Sequence, residues 1–300
     1  MVTISALPTV AELLQREKLV YAPGVWDGLS ARLVERAGFP AVCSSGYSIS
    51  ASLGLPDAEL YTMSENASAI ARIREGCSLP LIADIDTGYG NAVNVQRTIR
   101  TVRAAGATAA FMEDQVAPKR EPLWVNQAVP LIPIEEAAGK IRAAKDAVGE
   151  DFVLIARTDA HGDDAIRRLE AYRTAGADLL MPVTRSFTTV EEWAAASEKL
   201  GGQLVSTITA GTWVERELTR EVLLELDVRI ALLPNQPIHI VAGALASALE
   251  RLHSGEPPAQ ITAAGMPPKD IPALLGFADV LERQAKYHST DELTAIEGGM

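Results

Sequence analysis

Asp84 and Asp86 are the residues whose types and spacing first suggest a chemistry. They close an apolar run, Leu81 to Ala83, of the kind found in a strand buried on both faces. Side chains two apart on an extended strand point the same way, so a strand over Leu81–Asp86 predicts both carboxylates on one side. Two acids so placed repel unless a positive charge lies between them. A hard divalent cation answers that need: Mg2+, which keeps several waters, or Mn2+ as the alternative. The competing reading is a strand end carrying two solvated acids. Thr87-Gly-Tyr-Gly-Asn91 follows, a turn sequence that lets the backbone approach whatever the acids hold.

Other polar groups stand at the ends of apolar runs: Ser45-Gly46-Tyr47-Ser48, Glu113-Asp114-Gln115, Arg157-Thr158-Asp159, Thr207 with Thr209, and Pro234-Asn235-Gln236. Ser45-Gly46-Tyr47 reads as a flexible turn whose N–H groups suit a carboxylate or phosphonate. Arg157 has the fork geometry for a substrate carboxylate, against the competing reading of a salt bridge to Glu113 or Asp84. Glu113 reads as a third metal-binding acid, directly or through water, against an ordinary strand-end acid. Thr207 and Asn235 complete the candidate substrate-facing set.

A repeated unit must position these groups. Strands are expected at Leu19–Pro23, Ala41–Ser44, Leu81–Asp86, Ala109–Glu113, Phe152–Arg157, Leu179–Val183, Gln203–Thr207 and Val228–Leu233. Helices lie between them, around Asp27–Ala37, Ser64–Gly76, Ala92–Ala105, Ile134–Val148, Asp163–Thr174, Thr189–Leu200 and Thr219–Leu226, and an alanine-rich helix over Ile238–Leu252 follows the last strand. Ala-Gly-Ala at 105–107 and again at 175–177 marks a helix end followed by a short apolar strand. Eight such alternations with short connections predict an α/β fold, a (β/α)8 TIM barrel. A doubly wound open sheet is the runner-up; it calls for fewer strands and a Gly-rich first turn. The expected organisation is one barrel domain over 1–300, with an N-terminal helix within 1–18 and a C-terminal helical arm over 254–300. In that arm Gly255-Glu-Pro-Pro258 and Gly265-Met-Pro-Pro268 break the chain before an amphipathic helix, Ile271–Lys286. Its apolar face suits a neighbouring subunit.

Composition narrows the classes. Of 300 residues, 48% are hydrophobic and 22% charged, as in a globular enzyme with ample core. A formal charge of −12 argues against nucleic acid or an anionic membrane as partner, not against a small anion at a locally positive site. No apolar run reaches membrane-spanning length, and Met1–Glu17 lacks the pattern of a signal peptide. Cys43 and Cys77 read as buried thiols of a reducing compartment, so a cytoplasmic location is expected. His161, His239, His253 and His288 lack ligand spacing for a transition metal.

Asp84-Ile-Asp-Thr-Gly-Tyr-Gly-Asn91, Glu113-Asp114-Gln115 with Lys119-Arg120, Ser45-Gly46 and Arg157-Thr158-Asp159 together resemble the isocitrate lyase / phosphoenolpyruvate mutase superfamily, over about Val20 to Leu252. The resemblance implies a barrel with a C-terminal helix swapped between subunits, assembled as a homotetramer. It implies Mg2+ near Asp84, Asp86 and Glu113, mostly through water. A 2-oxo or 2-hydroxy acid would lie against Ser45, Gly46, Tyr47 and Arg157. Asp57 matches an acid that approaches substrate in several members.

The implied chemistry breaks or forms a C–C or C–P bond one carbon from the acid's carbonyl, through a pyruvate-type enolate. Lyases of the superfamily carry Lys-Arg/Lys-Cys-Gly-His after strand four. Here the sequence is Lys119-Arg120-Glu121-Pro122-Leu123, so Glu121 stands at the cysteine position. Val183 stands where the lyases have a glutamate and Thr207 where they have an asparagine. The mutase Asn-Ser pair is also missing, since Asn126 is followed by Gln127. Leu123, Trp124 and Val125 make the loop more apolar than its lyase counterpart, which points to a less charged distal group or to CO2 as leaving group. The expectation is an Mg2+-dependent carbon–carbon lyase or decarboxylase, with Asp57, Lys119, Glu121 and Arg157 as its catalytic candidates. The alternatives are a C–P bond enzyme (a phosphonopyruvate hydrolase or a mutase) and a barrel that binds a keto acid and metal without turnover.

Overall fold

The computed structural model describes residues 7–121 and 129–287; Pro122, Leu123, Trp124, Val125, Asn126 and Gln127, named above, and His288 lie outside them. The chain divides into two units, Met1–Ile240 and Val241–Met300.

In the first unit, eight parallel strands close in sequence order into a barrel. They are β1 (Val20–Val25), β2 (Val42–Ser44), β3 (Leu81–Asp84), β4 (Ala109–Met112), β5 (Val153–Thr158), β6 (Leu179–Pro182), β7 (Leu204–Thr207) and β8 (Val228–Leu233). The helices are α1 (Val10–Arg16), α2 (Gly28–Arg36), α3 (Gly46–Ser52), α4 (Met63–Gly76), α5 (Ala92–Ala104), α6 (Ile134–Asp146), α7 (Gly162–Thr174), α8 (Val190–Leu200), α9 (Trp213–Glu217) and α10 (Arg220–Glu225). Capping boxes at Thr9, Asp27, Thr62 and Asn91 start α1, α2, α4 and α5 by satisfying first-turn N–H groups. Gly106 and Gly176, at φ +108° and +107°, carry the chain from α5 and α7 back to the sheet, a backbone region that glycine enters without strain.

Two layers of core follow from strand alternation. Ile82, Phe111, Ile155, Met181, Val205, Ile230 and Leu232 fill the barrel, and Val10 of α1 packs with them. Leu81, Ala83, Met112, Leu154, Ala156 and Leu180 face outward against Ile99, Ile141, Leu169, Trp193 and other helix residues. Cys43 belongs to the inner layer and Cys77 to the outer; both are free and buried.

α11 (Gln236–His253) begins in the first unit, and α12 (Pro258–Thr262), α13 (Asp270–Leu274) and α14 (Phe277–Tyr287) lie in the second. Among the described residues, no helix is long and apolar enough to cross a membrane.

Three expectations change. The helix expected over Ile271–Lys286 is two, α13 and α14, with Gly276 at φ +76° between them. Ser45-Gly46-Tyr47 is not a flexible turn: Ser45 is the N-cap of α3 and its hydroxyl accepts from Ser48 N. The third strand stops at Asp84, because Asp86 lies at φ +48°, outside the extended region. The short helices α9 and α12 carry too few periodic residues to be read from sequence.

Candidate active site

The alternation that builds the core also selects the site. Ile82 points into the barrel, and so does Asp84 two residues on; Phe111 is followed in the same sense by Glu113, and Ile155 by Arg157. Met181 and Val205 lead likewise to Val183 and Thr207. The carboxyl ends of β3 to β7 therefore deliver acids, an arginine, a valine and a threonine to one mouth. Ser45, Tyr47, Asp57, Asp84, Gln115, Lys119, Arg120, Glu121, Arg157, Val183, Thr207 and Asn235 all line the cavity there.

Asp84 and Asp86 do converge, by a route other than strand alternation. The left-handed turn at Asp86 swings its carboxylate back, with Asp86 N donating to Asp84 Oδ1 (3.1 Å). A methyl group built on Gly46 would sit 2.8 Å from Asp84 Oδ2 and 3.1 Å from Asp86 Oδ1, so both acids crowd the first turn of α3. Gly46 N donates to Asp84 Oδ2 (2.9 Å). The charge beside these acids is Lys119: its Nζ lies 2.6 Å from Asp86 Oδ1 and 2.9 Å from Asp57 Oδ1. Burial and then the Asp86 charge push Asp84 up to about 7. Burial acts on Asp86 too, but the Lys119 ammonium holds it below the usual carboxylate range.

Glu113 and Arg157 face each other across β4 and β5, Nη1 to Oε2 at 2.6 Å, while Arg157 Nη2 donates to Asp159 Oδ1 (2.9 Å). The salt bridge weighed against the substrate-binding reading of Arg157 is thus present, and the guanidinium still lines the cavity. Burial drives Glu113 well above the carboxylate range despite Arg157, and its Oε1 is buried with no hydrogen-bond donor. Burial disfavours the charged forms of Glu113 and Asp84, and a cation beside them would favour those forms instead, so the donor-free oxygen of Glu113 and the carboxylate of Asp84 fit a cation. Among the described residues, no three His, Cys, Asp or Glu side chains come together to hold a metal by themselves. The donor set therefore fits a water-rich ion better than a fully caged one.

The opposite wall, from β6 to β8, is mostly neutral. Met181, Val183 and Leu232 give it apolar surface, and Arg185 is its charged member. Thr184 Oγ1 bonds to Thr207 O and Thr209 Oγ1, whereas Thr207 Oγ1 is buried without a partner. Asn235 accepts from Ala210 N (3.0 Å), tying the β7 and β8 loops together. Tyr47 reaches His239 Nε2 (2.8 Å) near the mouth.

Two contributors, Asn66 and Tyr61, escape the sequence reading. Asn66 of α4 donates to Asp84 O (2.8 Å) and Tyr89 Oη (3.0 Å), and Tyr89 donates to Asp86 Oδ2 (2.9 Å). An asparagine on the apolar face of α4, with Ala69, Ile70 and Ile73, was the available signal. Gln115, fully buried, accepts from Arg120 N with Oε1, while its Nε2 has no partner. Tyr61, also buried, brings its hydroxyl to within 2.9 Å of where a Gly46 side chain would begin.

A model of the phosphoenolpyruvate phosphomutase family matches residues 10–253. The 2,3-dimethylmalate lyase of Eubacterium barkeri is 35% identical over 92% of this chain and 96% of its own. Among solved structures, phosphoenolpyruvate phosphomutase from Streptomyces platensis subsp. rosaceus superposes with a TM-score of 0.86 at 30% identity, over 93% of this chain and 98% of that one. Phosphonopyruvate hydrolase in complex with oxalate and Mg2+ superposes with a TM-score of 0.81 at 34% identity, over 92% and 98%.

Proposed function

This chain belongs to the phosphoenolpyruvate phosphomutase family, within the isocitrate lyase / phosphoenolpyruvate mutase superfamily, and from that premise we propose that it is an Mg2+-dependent carbon–carbon lyase or decarboxylase. Its substrate is a 2-oxo or 2-hydroxy carboxylate cleaved through a pyruvate-type enolate. The observation that carries this reading is that Asp84 and Arg157 line one cavity, with Asp86 bonded to Asp84 and Glu113 paired with Arg157 just behind its wall.

Asp84, Asp86 and Glu113 would hold the metal. Bound Mg2+ supplies Lewis-acid polarisation of the substrate's 2-oxygen and charge stabilisation as the enolate develops. The protein does the rest. Arg157 offers a fork of N–H donors to the substrate carboxylate, with Ser45, Tyr47, Thr207 and Asn235 lining the pocket around it and Gly46 beside Ser45 at the start of α3. Lys119, held by Asp57 and Asp86, puts a fixed positive charge beside the reacting centre. With a 2-oxo diacid, the bond from C3 to the departing carboxylate breaks. CO2 leaves, its bonding electrons enter the enolate, and C3 then takes a proton. Glu121, on the cavity wall, is the candidate donor of that proton. With a 2-hydroxy acid, Asp57 is the candidate base that takes the hydroxyl proton. C2–O becomes a carbonyl as C2–C3 breaks, and the bond's electrons pass to C3 of the departing carboxylate as its enolate, which then takes a proton.

The similarity to phosphonopyruvate hydrolase supports a second reading, C–P hydrolysis on the same machinery. A pyruvate-release assay with Mg2+ and EDTA controls separates them, offering oxaloacetate, alkylmalates, methylisocitrate and phosphonopyruvate one at a time. Pyruvate from the first two supports the lyase reading, and pyruvate from phosphonopyruvate alone supports the second. Tight binding of keto acids without any product would make the chain a non-catalytic binding barrel.

We also propose a cytoplasmic homotetramer, built from dimers that exchange C-terminal helices, without nucleic-acid or membrane partners. Phe277 and Leu281 of α14 are 54% and 51% exposed, large apolar side chains of a kind that an interface covers.

A further inference from the structure

We propose that Asp114, with Arg168 and Tyr172 of α7, is a positioning station that sets the orientation of Arg157 from outside the barrel. The proposal rests on the substrate-binding reading of Arg157 and adds residues that never reach the cavity.

Asp114 follows Glu113, so alternation turns it away from the mouth and into the helix layer, where it is 2% exposed. A carboxylate there is costly unless its lone pairs are filled. Four donors fill them. Thr158 Oγ1 (2.6 Å), Tyr172 Oη (2.7 Å) and Arg168 Nη1 (3.2 Å) share Oδ2, and Asp159 N (3.1 Å) takes Oδ1. Arg168 and Tyr172 stand four residues apart on α7, on one helix face. Arg168 Nη1 also donates to Ile132 O (3.0 Å), and Ile132 N donates to Asp114 O (2.9 Å), so the segment entering α6 is held as well.

Two of the four donors belong to the residues just after Arg157. Asp114 holds the amide of Asp159, and the carboxylate of Asp159 holds Arg157 Nη2 (2.9 Å). Arg157 meets Glu113 through Nη1, and Glu113 is the chain neighbour of Asp114. One anchor of the guanidinium, the Asp159 carboxylate, is therefore placed by this buried carboxylate, while the other, Glu113, only precedes it in the chain. Packing alone would join β4, β5 and α7 without a charge, as Leu154, Ala156 and Leu169 do beside it. What the polar station adds is a fixed direction for Arg157.

The test is Asp114→Asn, studied as the full chain with Mn2+ and with oxalate as the probe. An amide turns N–H donors toward part of the donor set, so the Asp159 amide loses its fixed acceptor. The variant's crystal structure is expected to show Arg157 displaced from Glu113 or Asp159. Oxalate Kd is expected to rise about tenfold or more while Mn2+ affinity holds. In an Arg157→Lys background the same substitution should change oxalate Kd less than about twofold, the non-additivity that marks action through Arg157. Tyr172→Phe is the milder variant, with an expected loss of about 2–10-fold in the same direction. Free energies that add across the Asp114/Arg157 cycle would overturn the proposal. So would an Asp114→Asn structure with Arg157 unmoved, and that result needs no ligand at all. Failure of wild-type protein to bind oxalate would instead strike the substrate reading and leave the structural arm to decide this one.

Discussion

Lys119 Nζ lies 2.6 Å from Asp86 Oδ1, and both side chains are closed to solvent, at 4% and 0% exposure. A bare lysine in that position would be pushed toward neutrality by burial. Asp57 and Asp86 hold it charged instead, well above its ordinary value. The β4 loop is thus fastened by charge to the turn after β3 and to the segment around Asp57.

Replacing Lys119 with Met leaves Asp57 and Asp86 buried without their cation. Urea unfolding should show a loss of about 3–5 kcal/mol without metal, and millimolar Mg2+ should restore more stability to the variant than to the wild type. Equal metal effects in the two proteins would mean that Lys119 and the metal do not share the same acids.

Gly46→Ala places a methyl group 2.8 Å from Asp84 Oδ2 and 2.9 Å from Tyr61 Oη. Neither neighbour is a free side-chain end, since Asp84 is anchored by Gly46 N itself and Tyr61 is buried. Mn2+ affinity, read by electron paramagnetic resonance, should fall by about tenfold or more. An unchanged affinity would show that α3 can retreat without disturbing the acids.

Tyr89→Phe removes a hydroxyl that donates to Asp86 and receives from Asn66. A hydrogen bond to a charged group contributes about 1.5–3 kcal/mol, so the urea midpoint should drop accordingly with the m-value unchanged. Asn66→Ala should reproduce most of that loss, and the double variant should fall short of the sum. Full additivity would separate the two residues.

Much of this was legible in the sequence, and the boundary has a physical cause. The barrel could be read because each strand is a short apolar run and most helices that lead into a strand end near a glycine, both local signals. Asp84, Glu113 and Arg157 could be read because a strand fixes side-chain direction from one residue to the next but one. Asp86 does lie beside Asp84, but its carboxylate arrives through a left-handed turn rather than by strand alternation. The fastening of Lys119, and the Asp114 network that spans 44 to 58 residues of sequence, depend on which helix packs beside which strand. No local pattern encodes that.

Leu281→Glu and Phe277→Glu on α14 test the proposed assembly. Light scattering should report a smaller species than the wild type gives, since a buried charge at an apolar interface is costly. Retention of the wild-type mass would remove α14 from the interface.

The most direct measurement is pyruvate release from oxaloacetate or an alkylmalate by wild-type protein and by Arg157→Ala, each with Mg2+ and with EDTA. The wild type should release metal-dependent pyruvate, abolished by EDTA and recovered on adding Mg2+. Arg157→Ala should lose about a hundredfold or more in kcat/KM, as for removal of a charge-stabilising donor. Turnover that survives EDTA, or an Arg157→Ala enzyme as fast as the wild type, would contradict the lyase reading.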